Sequence, residues 1–138
     1  MSFVVDNSVA LAWCFEDEQT AKIMALLDRV ADAGAVAPQL WPIEALNGLL
    51  TAERRGRIDR EVRQRLAGFL QELPVKIDDE TASRSWTTTA HLAEQHSLTA
   101  YDATYLELAM RRGVPLATSD TALIAAAKRA GVALLPTT

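Results

Sequence analysis

Phe3-Val4-Val5-Asp6-Asn7-Ser8 runs three apolar, strand-favouring residues straight into an acid, and an apolar-rich segment, Val9 to Phe15, follows. A short continuous apolar run suits a strand buried on both faces of a parallel sheet. Asn7 or Ser8 is placed to cap the next helix. Asp6 is then expected where a central strand hands over to a helix, and in open α/β sheets ligands bind at that edge. An acid there also satisfies orphan amides and the helix dipole, so position alone does not make Asp6 functional.

Working outward, the same alternation repeats. Ile23, Leu26, Leu27 and Val30 fall at helical spacing, Gly34 stops that helix, and Ala35-Val36-Ala37 reads as a strand. Pro42 suits the first turn of a helix carrying Leu46, Leu49 and Leu50. A further helix runs from Asp59 to about Leu73, and Pro74 breaks it before the strand Val75-Lys76-Ile77. Asp79 to Gln95 is expected as one helix with Ala82, Trp86 and Leu92 inward. Thr99 opens another that ends at Gly113. Pro115 to Thr118 is a strand, Thr121 to Ala130 a helix capped by Ser119 or Asp120, and Val132 to Leu135 a fifth strand. Strands alternating with helices define an α/β fold with a parallel sheet wrapped by helices, and the 138 residues suit one domain, 1–138. This pattern does not order the strands.

Composition narrows the function. The single cysteine, Cys14, excludes an intrachain disulfide framework. Neither a secretory leader nor an apolar run of membrane-spanning length is seen, so a cytoplasmic place without membrane contact is expected. The net charge of −4 argues against coating nucleic acid by bulk charge. Binding to nucleic acid must come from a local patch or from a cation held by acids. His91 and His96 lack the i, i+4 spacing of a helical zinc site, and no glycine-rich phosphate loop exists.

Four carboxylates fall at equivalent places. Asp6 and Asp120 follow strands, and Glu44 and Asp102 lie in the first turns of helices. Strand C-termini and helix N-termini share one edge of such a sheet. Each acid has a local explanation: Thr99-x-x-Asp102 is similar to a capping box, Asp120 is an N-cap, and Glu44 is a favourable first-turn acid. As a set they are harder to dismiss, because clustered carboxylates repel and call for a cation. Hard oxygen ligands suit Mg²⁺ or Mn²⁺.

Val4-Val5-Asp6-Asn7-Ser8, Glu44 with Asn47, Tyr101-Asp102-Ala103-Thr104-Tyr105 and Ala117-Thr118-Ser119-Asp120 together resemble the PIN domain, and the whole chain resembles the VapC-type toxin of VapBC toxin–antitoxin pairs. That resemblance implies a three-layer α/β/α fold with strand order 3-2-1-4-5, which sets Asp6 beside Asp120. It also implies a Mg²⁺- or Mn²⁺-dependent endoribonuclease that inhibits translation and growth and leaves 5′-phosphate and 3′-hydroxyl ends. The implied partners are a VapB-like antitoxin, RNA and a second copy in a homodimer or a larger toxin–antitoxin assembly. Asp6, Glu44, Asp102 and Asp120 are the expected metal ligands and catalytic acids. Ser8, Asn47 and Thr118 are candidates for orienting them. Arg55 and Arg57, in the basic stretch Arg54 to Arg65, are candidates for the RNA backbone, with a solvated charged face as the plainer reading. A non-catalytic PIN-like module that only binds an antitoxin is the alternative from a different class. An aspartyl-phosphate enzyme using Asp6 as nucleophile is disfavoured, since such enzymes want a second acid where Ser8 stands.

Overall fold

The computed structural model describes residues 2–138. Strand β1 (Val4–Val5) lies at the centre, followed by α1 (Asn7–Cys14), a 3₁₀ turn (Glu16–Glu18), α2 (Ala21–Ala33) and β2 (Ala35–Pro38). The hairpin of α3 (Trp41–Arg54) and α4 (Arg60–Glu72) leads to β3 (Val75–Asp78). A broken helix comes next: α5 (Thr81–Arg84), a π-helical turn (Ser85–Thr89) and α6 (Ala90–His96). Then come α7 (Ala100–Arg112), β4 (Leu116–Ala117) and α8 (Thr121–Ala130).

The sheet is parallel with order β3-β2-β1-β4. Val4 is paired with Val36 on one side and Leu116 on the other, and helices cover both faces. Phe3, Val4 and Val5 are therefore wholly buried, which is what their unbroken apolar run implies. The amide of Asp6 donates to Ala117 O at 3.0 Å, so the ladder extends to the acid and fixes its backbone. β3 is the edge strand, with Lys76 and Ile77 exposed.

α7 is the buried helix of the core. Every residue from Ala103 to Ala109 is buried, including Glu107. Arg111 meets Glu107 one turn away, and its guanidinium reaches across to Asp78 at the end of β3 with bonds of 2.7 and 3.0 Å. Arg112 donates to the same carboxylate at 3.0 Å. These cations hold Asp78, which is 1% exposed, well below the usual carboxylate range. Gly34 turns the chain from α2 into β2 at φ +76° and ψ 176°, a conformation open essentially to glycine alone; an added Cβ would lie 3.0 Å from Pro74 O.

The fold departs from the sequence expectation at three places. The fifth strand shrinks to a single bridge between Leu116 and Leu134. The amide of Val132 closes the end of α8 on Ala127 O, and Pro136 has no amide to give, so little chain is left for a ladder. The helix expected over Asp79 to Gln95 is interrupted by the π turn, whose extra residue rotates the preceding positions off the core face. Ala82 and Trp86 consequently point outward, and Trp86 is 91% exposed, while Leu92 beyond the turn is buried. Finally, Asp6 itself caps α1 in place of Asn7 or Ser8, accepting from the Ser8 amide. Among the described residues, no helix is long and apolar enough to cross a membrane.

Candidate metal centre

Asp6 ends β1 and is 4% exposed. Its Oδ2 accepts from Ser8 Oγ at 2.6 Å, Thr118 Oγ1 at 2.8 Å and the Ser8 amide at 3.4 Å. All three bonds fall on one oxygen, and Oδ1 accepts none of them. Thr118, just past β4, accepts in turn from the Asp120 amide at 3.0 Å, and Ser8 Oγ accepts from the Ser119 amide at 3.0 Å. The ends of the adjacent strands β1 and β4 are thereby laced together. Asp120 caps α8 through Oδ1, which accepts from the Leu123 amide at 2.9 Å.

Glu44 comes from the first turn of α3, where Pro42 supplies the helical φ without wasting an amide. Its Oε1 accepts from the Tyr105 hydroxyl at 2.6 Å. Asp102 lies in the first turn of α7, where its amide donates to the Thr99 cap at 3.1 Å. Asp6, Glu44, Asp102 and Asp120 thus arrive from four separate elements.

Burial and then the charges of Asp120 and Asp6 push the Asp102 carboxyl up to about 6. Glu44 is raised by burial, then by Asp6 and Asp102, against the lowering effect of the Tyr105 bond. Burial raises Asp6, and the bonds from Ser8 and Thr118 oppose it. No cation enters any of these three balances. Among the described residues, no ion pair reaches any of the four acids. Among the described residues no cation pairs with these hard oxygen donors, Oδ1 of Asp6 takes none of the bonds from Ser8 and Thr118, and the second oxygen of Glu44 is not engaged by Tyr105. A divalent cation such as Mg²⁺ or Mn²⁺ fits that donor set.

A second acidic group is closer-knit but differs in kind. Oxygens of Asp78, Asp79 and Glu80 lie within 4.8 Å of one another, and no three of the four edge acids do so among the described residues. However, Asp78 is held by Arg111 and Arg112, and Glu80 by Arg84 at 2.9 Å and Arg111 at 3.2 Å. Two of its three carboxylates are already neutralised by the chain, so this group has little charge left to offer an ion.

The remaining predicted residues are placed as follows. Ser8 and Thr118 hydrogen-bond Asp6, whereas Asn47 is exposed and donates nothing to Glu44. Arg57 pairs with Asp17 and Glu18 and stacks 3.9 Å from the Phe15 ring, so its charge is spent within the chain. Arg63 pairs with Glu53. Arg55 is exposed and makes no ion pair among the described residues. Tyr105 stands in the Tyr101–Tyr105 motif with no role of its own assigned from sequence; its bond to Glu44 spans 61 positions, and no local pattern announces it.

The shift at Asp102 gives the metal-free protein a pH signature. A carboxyl raised to about 6 in the fold, against about 4 unfolded, binds its proton more tightly when folded. Stability should therefore fall as pH rises from about 4 to 6, by roughly 1 kcal/mol after solvent screening. Adding Mg²⁺ at pH 7.5 should restore it by mass action. Thermal melts between pH 4 and 8, with and without Mg²⁺, read both effects; a flat profile insensitive to Mg²⁺ contradicts them.

A short parallel sheet with acids just past its central strands and in the first turns of the helices beside them is the architecture of this α/β domain. The sequence profile of the PIN domain matches residues 3–137, and the chain belongs to the PIN domain family. Among solved structures, it is similar to PAE2754 from Pyrobaculum aerophilum, at 25% identity and a TM-score of 0.70, covering 98% of this chain and 90% of that one. FitAcB from Neisseria gonorrhoeae is 17% identical with a TM-score of 0.68, covering 98% and 97%. VapBC2 from Rickettsia felis, bound to a DNA fragment from their promoter, is 12% identical with a TM-score of 0.69, covering 97% of each chain. No curated protein matches the chain.

Proposed function

We propose that this chain is a divalent-metal-dependent endoribonuclease and the VapC-type toxin of a toxin–antitoxin pair. Asp6, Glu44, Asp102 and Asp120 would hold Mg²⁺ or Mn²⁺. The observation that carries this reading is the placement of four carboxylates just past the adjacent strands β1 and β4 and in the first turns of α3 and α7, with no ion pair to any of them among the described residues. PIN domains are generally nucleases, which supports it at the level of the family.

A divalent ion in this pocket supplies charge stabilisation at phosphoryl oxygens and lowers the pKa of a bound water. The chain's own part is positional. Ser8 and Thr118 fix one oxygen of Asp6 and leave the other for the ion. Asp120 and Asp102, at the N-termini of α8 and α7, close two further sides. Arg55, exposed at the opposite end of α3 from Glu44, would meet the RNA backbone by charge alone and at a distance from the acids.

The partner reading is a VapB-like antitoxin, supported by the toxin–antitoxin assemblies among the structural neighbours. An apolar groove of about 380 Å³ between α3, α4 and β3, lined by Trp41, Leu46, Leu70 and Ile77 among others, offers an apolar partner segment a seat. The indole N–H of Trp41 is buried there with no acceptor. Exposed Ile43 and Trp86 are consistent with a homodimer, in which they would be covered.

Sequencing RNA 5′ ends after brief expression tests the activity and its target together. Discrete new 5′-phosphate ends, lost when purified protein is assayed in excess EDTA, are the expected result. Growth arrest without new ends would favour the non-catalytic module that titrates a partner.

A further inference from the structure

We infer that Tyr105 is a positioning residue for the metal centre, its hydroxyl fixing which way the Glu44 carboxylate faces. The inference rests on the proposed metal site and adds to it a residue outside the four acids. Tyr105 is wholly buried, and its ring packs in the core of α7. A phenylalanine would fill that space equally well. A buried hydroxyl is unfavourable unless it finds a partner, and this one donates to Glu44 Oε1 at 2.6 Å.

The geometry makes the phenol a bridge between acid-bearing elements. Tyr105 follows Asp102 by three residues on α7, so the two share a helical face. Glu44 comes from α3. One hydroxyl therefore ties α3 to the face of α7 that carries Asp102. Glu44 has three side-chain torsions to set, and the charges of Asp6 and Asp102 push its carboxylate away from the pocket. The phenol is a neutral donor that holds it against that push. It occupies Oε1 and leaves Oε2 for the ion. Groups that orient metal ligands from behind typically change metal affinity or activity by about 10–100-fold when removed.

The test measures Mn²⁺ binding directly, by the electron paramagnetic resonance of free Mn²⁺, on the full chain and on Tyr105→Phe, Glu44→Gln and the double variant. RNA cleavage is followed alongside. Tyr105→Phe should weaken Mn²⁺ about tenfold, with kcat recovering toward the parent value at saturating Mn²⁺. Because Tyr105 acts through Glu44, the double variant should bind no more weakly than Glu44→Gln alone. Parent-like Mn²⁺ affinity in Tyr105→Phe, or losses that simply add in the double variant, would overturn the inference. If Tyr105→Phe does not fold, Glu44→Asp, which withdraws the carboxylate from the phenol, should show the same tenfold loss, and parent-like affinity there would overturn it instead. A parent chain that binds no Mn²⁺ removes the metal site itself. A parent that binds normally while Tyr105→Phe also binds normally removes only the role of Tyr105.

Discussion

Asp6→Asn should reduce RNA cleavage at least about a hundredfold while leaving the protein as stable as before or more so. Asn keeps the shape of the side chain and an oxygen able to accept from Ser8 and Thr118, so the lacing of β1 to β4 is kept. What is lost is one negative charge from a pocket that has no cation of its own. In the metal-free chain that charge is a liability, since burial already disfavours it and it raises both Glu44 and Asp102. Asp102→Asn should behave alike, and it should also reduce the fall in stability between pH 4 and 6, leaving the part due to Asp6 and Glu44. The paired readout separates a functional acid from a structural one: activity and stability move in opposite directions. Cleavage within twofold of the parent in either variant, or a clear loss of folding with activity retained, would contradict this role.

Asp78→Asn should do the reverse, lowering stability by about 3 kcal/mol while the surviving folded protein still cleaves RNA. Removing one member of a buried ion network typically costs about 3–5 kcal/mol, because the partners are left uncompensated. The lower end is expected here, since Arg111 retains Glu107 and Glu80. The network joins the end of β3 to α7, whose first turn carries Asp102, so it supports the site without belonging to it. The pH sense follows from the sign of the shift. Asp78 is held below its unfolded value near 4, so its contribution is present above that pH and is lost as pH falls through it toward the folded value. That is opposite to Asp102, and the metal-free parent should be most stable near pH 4–5. Urea titrations of parent and Asp78→Asn at pH 7 measure the difference. A change below about 1 kcal/mol would mean that the arginines find full compensation elsewhere.

The parts of this molecule that could be read from sequence are those whose cause is local. Val4-Val5-Asp6 announces a buried strand ending in an acid, because burial on both faces demands an unbroken apolar run. Thr99, Asp120 and Gly131 mark helix ends by the chemistry of their own turns. The four acids read as a set because parallel α/β topology puts strand ends and helix starts on one edge. The misread parts have distant or cumulative causes. Trp86 faces solvent because a π turn shifts the helical phase by one residue, and Ser-Trp-Thr-Thr-Thr carries no signature of that turn. Asp78 was passed over because Arg111 and Arg112 lie 33 and 34 positions away. The pairing of Arg57 with Asp17 and Glu18 is likewise hidden, because those partners lie some forty positions earlier in the chain.

The most direct measurement is calorimetric titration of Mn²⁺ into the metal-free chain and into Asp6→Asn, Glu44→Gln, Asp102→Asn, Asp120→Asn and Asp79→Asn. The expected result is at least tenfold weaker binding in each of the first four and parent affinity in the last. Binding that survives the loss of Asp6 and Asp102 but disappears with Asp79 would place the ion in the wrong acidic group and contradict the assignment of the metal centre.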